Sequence, residues 1–306
     1  MKRKQLSIVL ALVLIAVLFA ACGGGNPPAS SGSGEDTASS GSGDFNAGRE
    51  ITVVSREDGS GTRGAFIDLM GVQETAPDGS TVDRTTIEAN IANGTSIVMG
   101  SVANDLYAIG YISLGSLNGT VKALDLDSVA ATAENVRNGS YTLARPFIIV
   151  TSGSQNELAA DFIDFIMSAE GQQVLEGRGY ISDVTDPPTF AGSLPAGTIV
   201  VSGSTSVAPG IEQLAEAYRD LNPGAHIEIH SQGSTAGINA ALEGIADIGM
   251  SSRELSENEL ARLERIVIAI DGLTVIVNNA NPLSGISSEE VRDIYIGEIT
   301  RWNEIG

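Results

Sequence analysis

From residue 51 onward the chain contains many short groups of apolar residues. Their spacing alternates between that typical of β-strands and that typical of α-helices. Compact runs of apolar and β-branched residues predict strands over 51–54, 108–113, 146–150, 198–202, 226–230, 245–250, 266–270 and 273–277. Apolar residues that recur every three or four positions predict helices over 62–70, 156–175, 207–222, 236–244 and 287–296. Strands that alternate with helices predict an α/β fold with a mostly parallel sheet.

Three of these predicted helices begin in turns that are rich in glycine, serine and threonine. The turns read Ser60-Gly-Thr62, Ser204-Thr-Ser206 and Ser234-Thr-Ala-Gly237. A helix start presents unpaired N–H groups and about half a positive charge, and it therefore attracts anions. One such turn is weak evidence, since serine and threonine are common helix caps. Three of them, each following a strand, predict an oxyanion site at one end of the sheet.

An arginine precedes the first of these turns. Arg56 ends the first strand-like run within "SREDGSGTRGAF", residues 55–66. A planar guanidinium grips an oxyanion with two parallel hydrogen bonds, which makes Arg56 the predicted cation of the site. Asp58, two residues further on, is predicted to hold this guanidinium in place. An ordinary surface ion pair between Arg56 and Asp58 is the alternative interpretation.

Residues 1–21 predict an export signal that is not part of the fold. Lys2-Arg3-Lys4 precede an apolar run over 6–21, which is short for a membrane span of about 20 apolar residues. The break before Cys22, the only cysteine, resembles a bacterial lipobox, and this implies lipidation of Cys22 and anchoring on the extracytoplasmic face of the cell membrane. An ordinary secretion signal with an incidental cysteine is the alternative. Residues 22–49 have the composition of a flexible Gly/Ser tether.

The charge balance limits the classes of ligand. A formal net charge of −21 opposes binding to nucleic acid, and it also obliges any anion site to rely on local dipoles and fixed donors. The sequence contains no Walker A, Cys–His zinc, HExxH or GxSxG motif, so we predict no metal, no cofactor and no catalytic residue. His226, Glu228 and His230 alternate on one strand face, which we interpret as a solvated face, with a metal trio as the alternative.

Several longer stretches are similar to one known family. They read "ITVVSREDGSGTRGAF", "YAIGYISLGSLNGTVKAL", "RPFIIVTSG", "FIDFIMSAEGQ", "VSGSTSVAP", "GSTAGINAALEGIADIGMSSREL" and "GEITRWNEIG". Together they resemble the phosphate-binding protein of the bacterial phosphate ABC transporter, the PstS family, over nearly all of residues 50–306. The resemblance implies a two-lobed α/β fold of the periplasmic-binding-protein-like type II class, with two crossover hinges.

The order of these stretches differs from the usual family order and implies a circular permutation. The half that usually comes second, residues 50–190, comes first, and the old termini would be joined through 184–197. The new chain ends would then lie close together in space. The family topology implies one lobe formed by 50–144 plus 274–306 and another formed by 148–272. A truncated tandem of two half-proteins is the alternative.

The family pattern also implies which residues contact the ligand. These residues are Arg56, Ser60, Gly61 and Thr62 in one lobe and Thr205, Ser206, Ser234 and Ser252 in the other, with Asp58 supporting Arg56. Ser252 stands where some relatives carry an aspartate that accepts the proton of hydrogen phosphate. A hydroxyl both donates and accepts, so Ser252 is expected to discriminate less sharply against sulfate. Asp247 or Glu254 could replace the missing acceptor, and Arg253 could be a second cation.

The resemblance implies a function as well as a site. The expected protein is an extracytoplasmic solute-binding lipoprotein that captures inorganic phosphate and delivers it to the permease subunits of an ABC transporter. It is expected to be a monomer and not an enzyme. The alternatives are a binding protein for another tetrahedral oxyanion such as sulfate or molybdate, a phosphatase that uses the same pocket, and a surface sensor.

Overall fold

The computed structural model describes residues 45–77, 80–153 and 156–306, so the predicted export signal and Cys22 lie outside the described residues. The strands are β1 (Thr52–Arg56), β2 (Gln73–Thr75), β3 (Thr81–Asp83), β4 (Asn90–Ala92), β5 (Ala108–Ser113), β6 (Lys122–Ala123), β7 (Asp125–Leu126), β8 (Ala144–Thr151), β9 (Gly197–Gly203), β10 (Ala225–Ser231), β11 (Ile248–Ser251), β12 (Glu264–Val277) and β13 (Gly285–Ile286). The α-helices are α1 (Gly61–Leu69), α2 (Thr95–Asn104), α3 (Ala133–Arg137), α4 (Glu157–Ile166), α5 (Ala169–Glu176), α6 (Ala208–Leu221), α7 (Ser234–Leu242), α8 (Glu257–Leu260) and α9 (Ser288–Ile296). Short 3₁₀ helices cover Leu114–Ser116 and Trp302–Glu304.

One mixed sheet organises this part of the chain. Its strands follow the order β10-β9-β11-β8-β12-β5-β1-β4, with β6 beside β12. At one end of the sheet β10, β9 and β11 are parallel, and at the other end β5, β1 and β4 are parallel. In the middle, β8 and β12 pair antiparallel with their neighbours. The fold is therefore α/β as predicted, but the sheet is mixed rather than mostly parallel. Both ends keep parallel strands that lead into helices, which is the arrangement that places ligands at strand ends.

Strand β12 replaces the two strands that were predicted over 266–270 and 273–277. The intervening Asp271-Gly272 has the composition of a turn. In the structure Asp271 is buried and hydrogen-bonded, so the chain continues straight through it. The strand pairs with β8 up to Gly272 and with β5 from Leu273 onward. A single strand thus passes from one set of partners to another.

The helix predicted over 156–175 is in fact two helices, α4 and α5. The hydroxyl of Ser168 accepts a hydrogen bond from the N–H of Gly171 at 3.2 Å, which caps the start of α5. A side chain on Gly171 would overlap the carbonyl oxygen of Phe165 at the end of α4. The glycine therefore permits a tight turn that apolar spacing alone does not reveal.

The buried apolar residues of the described chain form four clusters, two around β1, β5 and the end of β12 and two along β8, and we describe each pair of clusters as one core. The first core packs β1, β5 and the end of β12 against α1 and α9, and the rings of Phe66 and Tyr111 stack within it at 3.8 Å. The second core packs β8, β9 and β11 against α4 and α6, and it includes the rings of Phe162 and Tyr218. Burial of such side chains contributes about 1.5–3 kcal/mol each to folding, so each group is a substantial core.

The segment that was predicted to join the old termini packs against the second core. The N–H of Ser193 donates to Asp161 in α4 at 2.6 Å, and Asn222 donates to the carbonyl of Pro195 at 2.9 Å. The two ends of the described chain lie side by side: the N–H of Ile51 donates to the carbonyl of Thr300 at 2.8 Å. Within the described ranges, no helix has both the length and the apolar character required to cross a membrane.

Candidate functional site

Serine and threonine hydroxyls that are distant in sequence meet between the two cores. Thr62 Oγ1 lies 2.7 Å from Ser206 Oγ, and Thr95 Oγ1 lies 3.2 Å from Thr205 Oγ1 and 3.3 Å from Ser206 Oγ. Ser252 Oγ lies 2.8 Å from Ser204 Oγ and 3.4 Å from Ser234 Oγ. We call this set the hydroxyl cluster: Thr62, Thr95, Ser204, Thr205, Ser206, Ser234 and Ser252. Apart from the half-buried Thr205, these residues are buried.

The starts of four helices contribute to the hydroxyl cluster. Ser60 caps α1 by accepting from the N–H of Arg63, and Thr62 follows within the first turn. Helices α2 and α7 begin at Thr95 and Ser234 after glycines with φ of 126° and 103°, and neither has a side-chain cap. Helix α6 follows the Ser204–Ser206 turn. Four positive helix ends near one set of hydroxyls form an environment that favours an anion.

Arg56 extends from the end of β1 to the hydroxyl cluster. Its side chain is 2% exposed, and Nη2 donates to Thr205 Oγ1 at 2.9 Å. Its backbone N–H donates to the hydroxyl of Tyr111 at 3.2 Å, and burial raises the pKa of that tyrosine to about 12. A neutral tyrosine hydroxyl therefore fixes the backbone from which the guanidinium extends.

The carboxylate that supports Arg56 is Glu57, and the prediction for Asp58 is wrong. Both Nε and Nη2 of Arg56 donate to the Glu57 carboxylate at 2.7 Å. The Asp58 side chain is 99% exposed and pairs instead with Arg63 at 2.9 Å. Strand alternation would place residues 56 and 58 on one face, but β1 ends at Arg56 and the chain turns at once, with the N–H of Ser60 donating to the carbonyl of Glu57 at 3.2 Å, so the strand pattern does not extend to residue 58.

Gly61 brings α1 into direct contact with the other side of the hydroxyl cluster. A Cβ at this position would lie 2.7 Å from Ser252 Oγ and closer still to Ser234 Oγ. Residue 61 must therefore be glycine for the two sides to approach this closely. The first turn of α1 thus presents its backbone, rather than a side chain, to Ser234 and Ser252.

Ser252 is fully buried, and each of its polar groups has a partner. Its N–H donates to Ser234 Oγ at 3.1 Å, and its hydroxyl accepts from Ser204 Oγ at 2.8 Å. Its carbonyl accepts from Nη1 of Arg145 at 3.2 Å. Arg145 in turn pairs with Asp271, whose other oxygen accepts from Ser113 Oγ at 2.7 Å. A buried charged network therefore lies directly behind this wall of the site.

The residues proposed to assist Ser252 are bonded elsewhere. Asp247 accepts from Asn156 and from the N–H of Val200, at 2.8 Å each. Glu254 pairs with Arg265 at 2.7 Å.

The proposed second cation, Arg253, donates to Glu259 at 2.9 Å, and this hydrogen bond lowers the pKa of that glutamate. Its contact with the helix start next to Ser234 is a 3.3 Å hydrogen bond from Nη2 to Thr235. Asp247 and Glu254 thus do not replace the missing acceptor, and the guanidinium of Arg253 is held mainly by Glu259.

Stability should depend on the titration of Asp271. Burial raises the pKa of this carboxyl from 3.8 to about 6, against the opposing effect of Arg145. Because the pKa of Asp271 is higher in the folded state than in the unfolded state, the protonated carboxyl stabilises the fold. This stabilisation is fully present below pH about 4 and is lost as the pH rises through about 6. Asp271→Asn removes this pH dependence, so the stability of the variant relative to that of the natural chain should increase, on the order of a few kcal/mol, as the pH rises from about 4 to about 7. Denaturant unfolding at several pH values measures this difference, and a constant difference would contradict the assignment.

Three residues of the site were not predicted from the sequence. Thr95 carries a detectable signal, because Asn93-Gly-Thr-Ser96 is another glycine-containing turn before apolar residues. Glu57 lies within residues 55–66, where the sequence predicts its neighbour Asp58 as the supporting carboxylate. Arg145 has no local signal, because its contact with Ser252 joins residues 107 positions apart.

The histidine-bearing strand shows no metal site. His226 is 69% exposed on β10, at the edge of the sheet, and its nearest acid is Glu228 at 3.6 Å. Among the residues that the structure describes, no group of three or more His, Cys, Asp or Glu side chains is arranged to hold a metal ion. His226, Glu228 and His230 are all exposed, so the structure supports the interpretation of a solvated strand face.

Comparison with known proteins first defines the class. The sequence model of the PBP superfamily domain matches residues 35–170 and 188–306, which together make up most of the chain. A fold with strand ends and helix starts directed at one site agrees with this class.

Individual relatives then define the family. The chain is 43% identical to phosphate-binding protein PstS 2 of Streptococcus pneumoniae over 305 residues, covering 100% of both chains. It is 43% identical to phosphate-binding protein PstS 2 of Streptococcus agalactiae over 83% of this chain and 87% of that protein. A crystal structure of a phosphate-binding protein of a phosphate ABC transporter from Streptococcus pneumoniae superposes with a TM-score of 0.67 at 45% identity, covering 84% of this chain and all of that one. The chain belongs to the PstS family of phosphate-binding proteins.

Proposed function

We propose that this protein captures inorganic phosphate outside the cytoplasm and delivers it to the permease of an ABC transporter. The observation that carries the proposal is the buried guanidinium of Arg56 beside hydroxyls from four helix starts. The family relationship supports it, since the relatives reported above are named as phosphate-binding proteins.

The chemistry of the site suits a tetrahedral oxyanion. Four oxygens accept many hydrogen bonds, and the hydroxyl cluster, the backbone of Gly61 and the fork of Arg56 supply donors from several directions. Helix dipoles add positive potential without adding mobile charge. This local field opposes the repulsion expected from the net charge of −21. We assign ligand contact to Arg56 and to residues 60–62, 205, 206, 234 and 252, and we add Thr95.

The two cores support a division into two lobes. We propose that residues 50–144 plus 274–306 form one lobe and residues 148–272 the other, with β8 and β12 passing between them. The hydrogen bonds of Thr62 with Ser206 and of Arg56 with Thr205 then span the cleft between the lobes. A ligand that contacts both sides favours the closed arrangement, as in other hinge-closing binding proteins.

Circular permutation is the simplest account of the order of the segments. Phosphate-binding protein PstS of Bacillus subtilis aligns at 31% identity over 114 residues, which is 36% of this chain and 38% of that protein. Partial alignment is the expected result when the two halves occur in opposite order. The adjacent chain ends and the packed 184–197 segment agree with this proposal.

We propose that the protein acts as a monomer held on the extracytoplasmic face of the membrane by lipid on Cys22. Metabolic labelling with a radioactive fatty acid tests the anchor, and Cys22→Ser is expected to abolish the label and release the protein into the medium. Labelling that persists in this variant would contradict the proposal.

We infer that the protein binds its ligand without transforming it, as the names of the relatives reported above suggest. The hydroxyls around Arg56 can donate to an anion, and the Glu57 carboxylate is engaged by the guanidinium. A phosphatase would require a base or nucleophile placed for attack. Turnover of a phosphate ester that disappears in Arg56→Ala would contradict this interpretation.

An anion titration panel tests the proposed function. Calorimetry of the purified mature protein with phosphate, sulfate, molybdate and arsenate should show binding of phosphate, and titrations between pH about 5 and 8 report whether the bound form carries a proton. The panel also tests the alternative ligands, because Ser252 supplies no carboxylate to repel sulfate. Absence of phosphate binding at millimolar concentration would refute the proposal.

Thr95 should contribute measurably to phosphate affinity. Thr95→Val keeps the shape of the side chain and removes one hydroxyl, which we expect to weaken binding by about 1 kcal/mol, or roughly fivefold. The control is Thr120→Val, because Thr120 is exposed and bonds only to Asn118 among the hydrogen bonds described. Calorimetric affinities for both variants decide the point, and equal affinities would remove Thr95 from the site.

A further inference from the structure

We propose that Arg145 and Asp271 are positioning residues of the anion site: they hold in place the backbone of Ser252, which forms one wall of the site. The proposal rests on the proposed function, because it concerns the site that would bind phosphate. Neither charged group is hydrogen-bonded to a hydroxyl of the cluster, and Arg145 reaches it only at the backbone carbonyl of Ser252. Their effect would pass through the backbone of Ser252.

A continuous chain of hydrogen bonds connects the first core with Ser252. Ser113 at the end of β5 donates to Oδ1 of Asp271 at 2.7 Å. Arg145 donates to Oδ2 of Asp271 from Nε at 3.3 Å and from Nη2 at 3.2 Å, and its Nη1 donates to the carbonyl of Ser252 at 3.2 Å. The side chains of Arg145 and Asp271 are 2% and 0% exposed, so water does not replace these contacts.

The location of the pair explains why it can position the wall. Arg145 and Asp271 face each other across β8 and β12, one residue before β12 changes partner from β8 to β5. This is the crossover between the two proposed lobes. The guanidinium of Arg145 also lies over the ring of Phe147, 5.4 Å from its centroid.

Ser252 transmits its position to two helix starts. Its N–H is bonded to Ser234 at the start of α7, and its hydroxyl is bonded to Ser204 in the turn before α6. If the carbonyl of this fully buried residue lost Arg145, it would be left without a partner and would be driven to move. The displacement would reach donors on both helices.

The electrostatic interaction between Arg145 and Arg56 also connects the buried ion pair with the site. Burial lowers the pKa of Arg145, and the charge of Arg56 acts in the same direction. The guanidinium behind the wall and the guanidinium in the site therefore share one electrostatic environment.

A buried ion pair can also be purely structural, and the test must separate the two roles. Removal of one member of such a pair leaves the other charge unpaired and destabilises the fold. A structural role alone predicts lower stability with unchanged ligand affinity in the protein that remains folded. A positioning role predicts a local change at Ser252 together with a weaker affinity.

The experiment compares Arg145→Met, Arg145→Lys and Ser113→Ala in the purified protein. Ser113→Ala removes one link without leaving a buried charge unpaired, so it serves where Arg145→Met fails to fold. The matched control is Arg265→Met, which removes an arginine from the far end of β12, the strand that carries Asp271, where it pairs with the exposed Glu254. Amide hydrogen exchange is measured without anion, and affinities for phosphate and sulfate are measured by calorimetry.

Arg145→Met is expected to weaken phosphate binding about tenfold and to speed exchange at the N–H of Ser252 and in the first turn of α7. Arg145→Lys should show a smaller loss, since one ammonium replaces a fork that reaches two partners. Ser113→Ala should change the same amides, and Arg265→Met should change neither quantity.

Unchanged exchange at Ser252 and unchanged phosphate affinity in folded Arg145→Met, or in Ser113→Ala if the former does not fold, would overturn the proposal. If the natural protein binds neither phosphate nor sulfate, the proposed function fails, and the exchange data alone decide whether Arg145 positions Ser252.

Discussion

Replacement of Arg56 by methionine is expected to weaken phosphate binding about a hundredfold or more. The guanidinium is 2% exposed, and it offers charged hydrogen bonds in a site from which water is largely excluded. Hydrogen bonds to charged groups contribute about 1.5–3 kcal/mol each, so the loss of two corresponds to at least two orders of magnitude in affinity. The variant also leaves the Glu57 carboxylate without its partner, which adds repulsion toward an anion.

Calorimetry on three proteins separates these effects. Arg56→Lys keeps the charge and loses the planar fork, and we expect its affinity to lie between that of Arg56→Met and that of the natural protein. Arg84→Met is the control, because Arg84 is 55% exposed and pairs with Glu74 at 3.7 Å away from the site. An affinity of Arg56→Met within about threefold of the natural value would show that Arg56 does not bind the ligand.

Replacement of Gly61 by alanine is expected to weaken phosphate binding by roughly tenfold to a hundredfold, because it prevents full closure. The added Cβ would lie 2.7 Å from Ser252 Oγ and nearer to Ser234 Oγ, on the opposite proposed lobe. The overlap arises only when the two sides meet, so the open protein should fold normally. Gly61→Val should have the larger effect, since its side chain is bulkier.

The same helix provides the control for Gly61. At Gly64 a Cβ would meet only Arg253 Cδ at 3.8 Å, an ordinary contact, so Gly64→Ala should retain affinity and gain about 0.5–1 kcal/mol of stability. Small-angle scattering with saturating phosphate should show a larger radius of gyration for Gly61→Ala than for Gly64→Ala. Equal radii and equal affinities would contradict the role assigned to Gly61.

Much of the fold could be predicted because its signals are local. The strand at Ala108–Ser113 coincides with its prediction, and β1, β9, β10, α1, α6 and α9 differ from theirs by one or two residues at either end. The errors have tertiary causes. Asp271 has the composition of a turn residue, and it can be buried within a strand only because Arg145 and Ser113 donate hydrogen bonds to its carboxylate. The turn between α4 and α5 depends on the close approach of Gly171 to the carbonyl of Phe165.

The sequence by itself determined the local polar groups of the site: Arg56 at a strand end, and serine and threonine residues at helix starts that also contain glycine. These features depend on residues that are close together in the chain. Tertiary structure alone decided that Glu57 rather than Asp58 holds Arg56, that Thr95 joins Thr205, and that Arg145 supports Ser252. Such partners depend on the direction of each side chain and on which strands become neighbours, and a one-dimensional pattern contains neither.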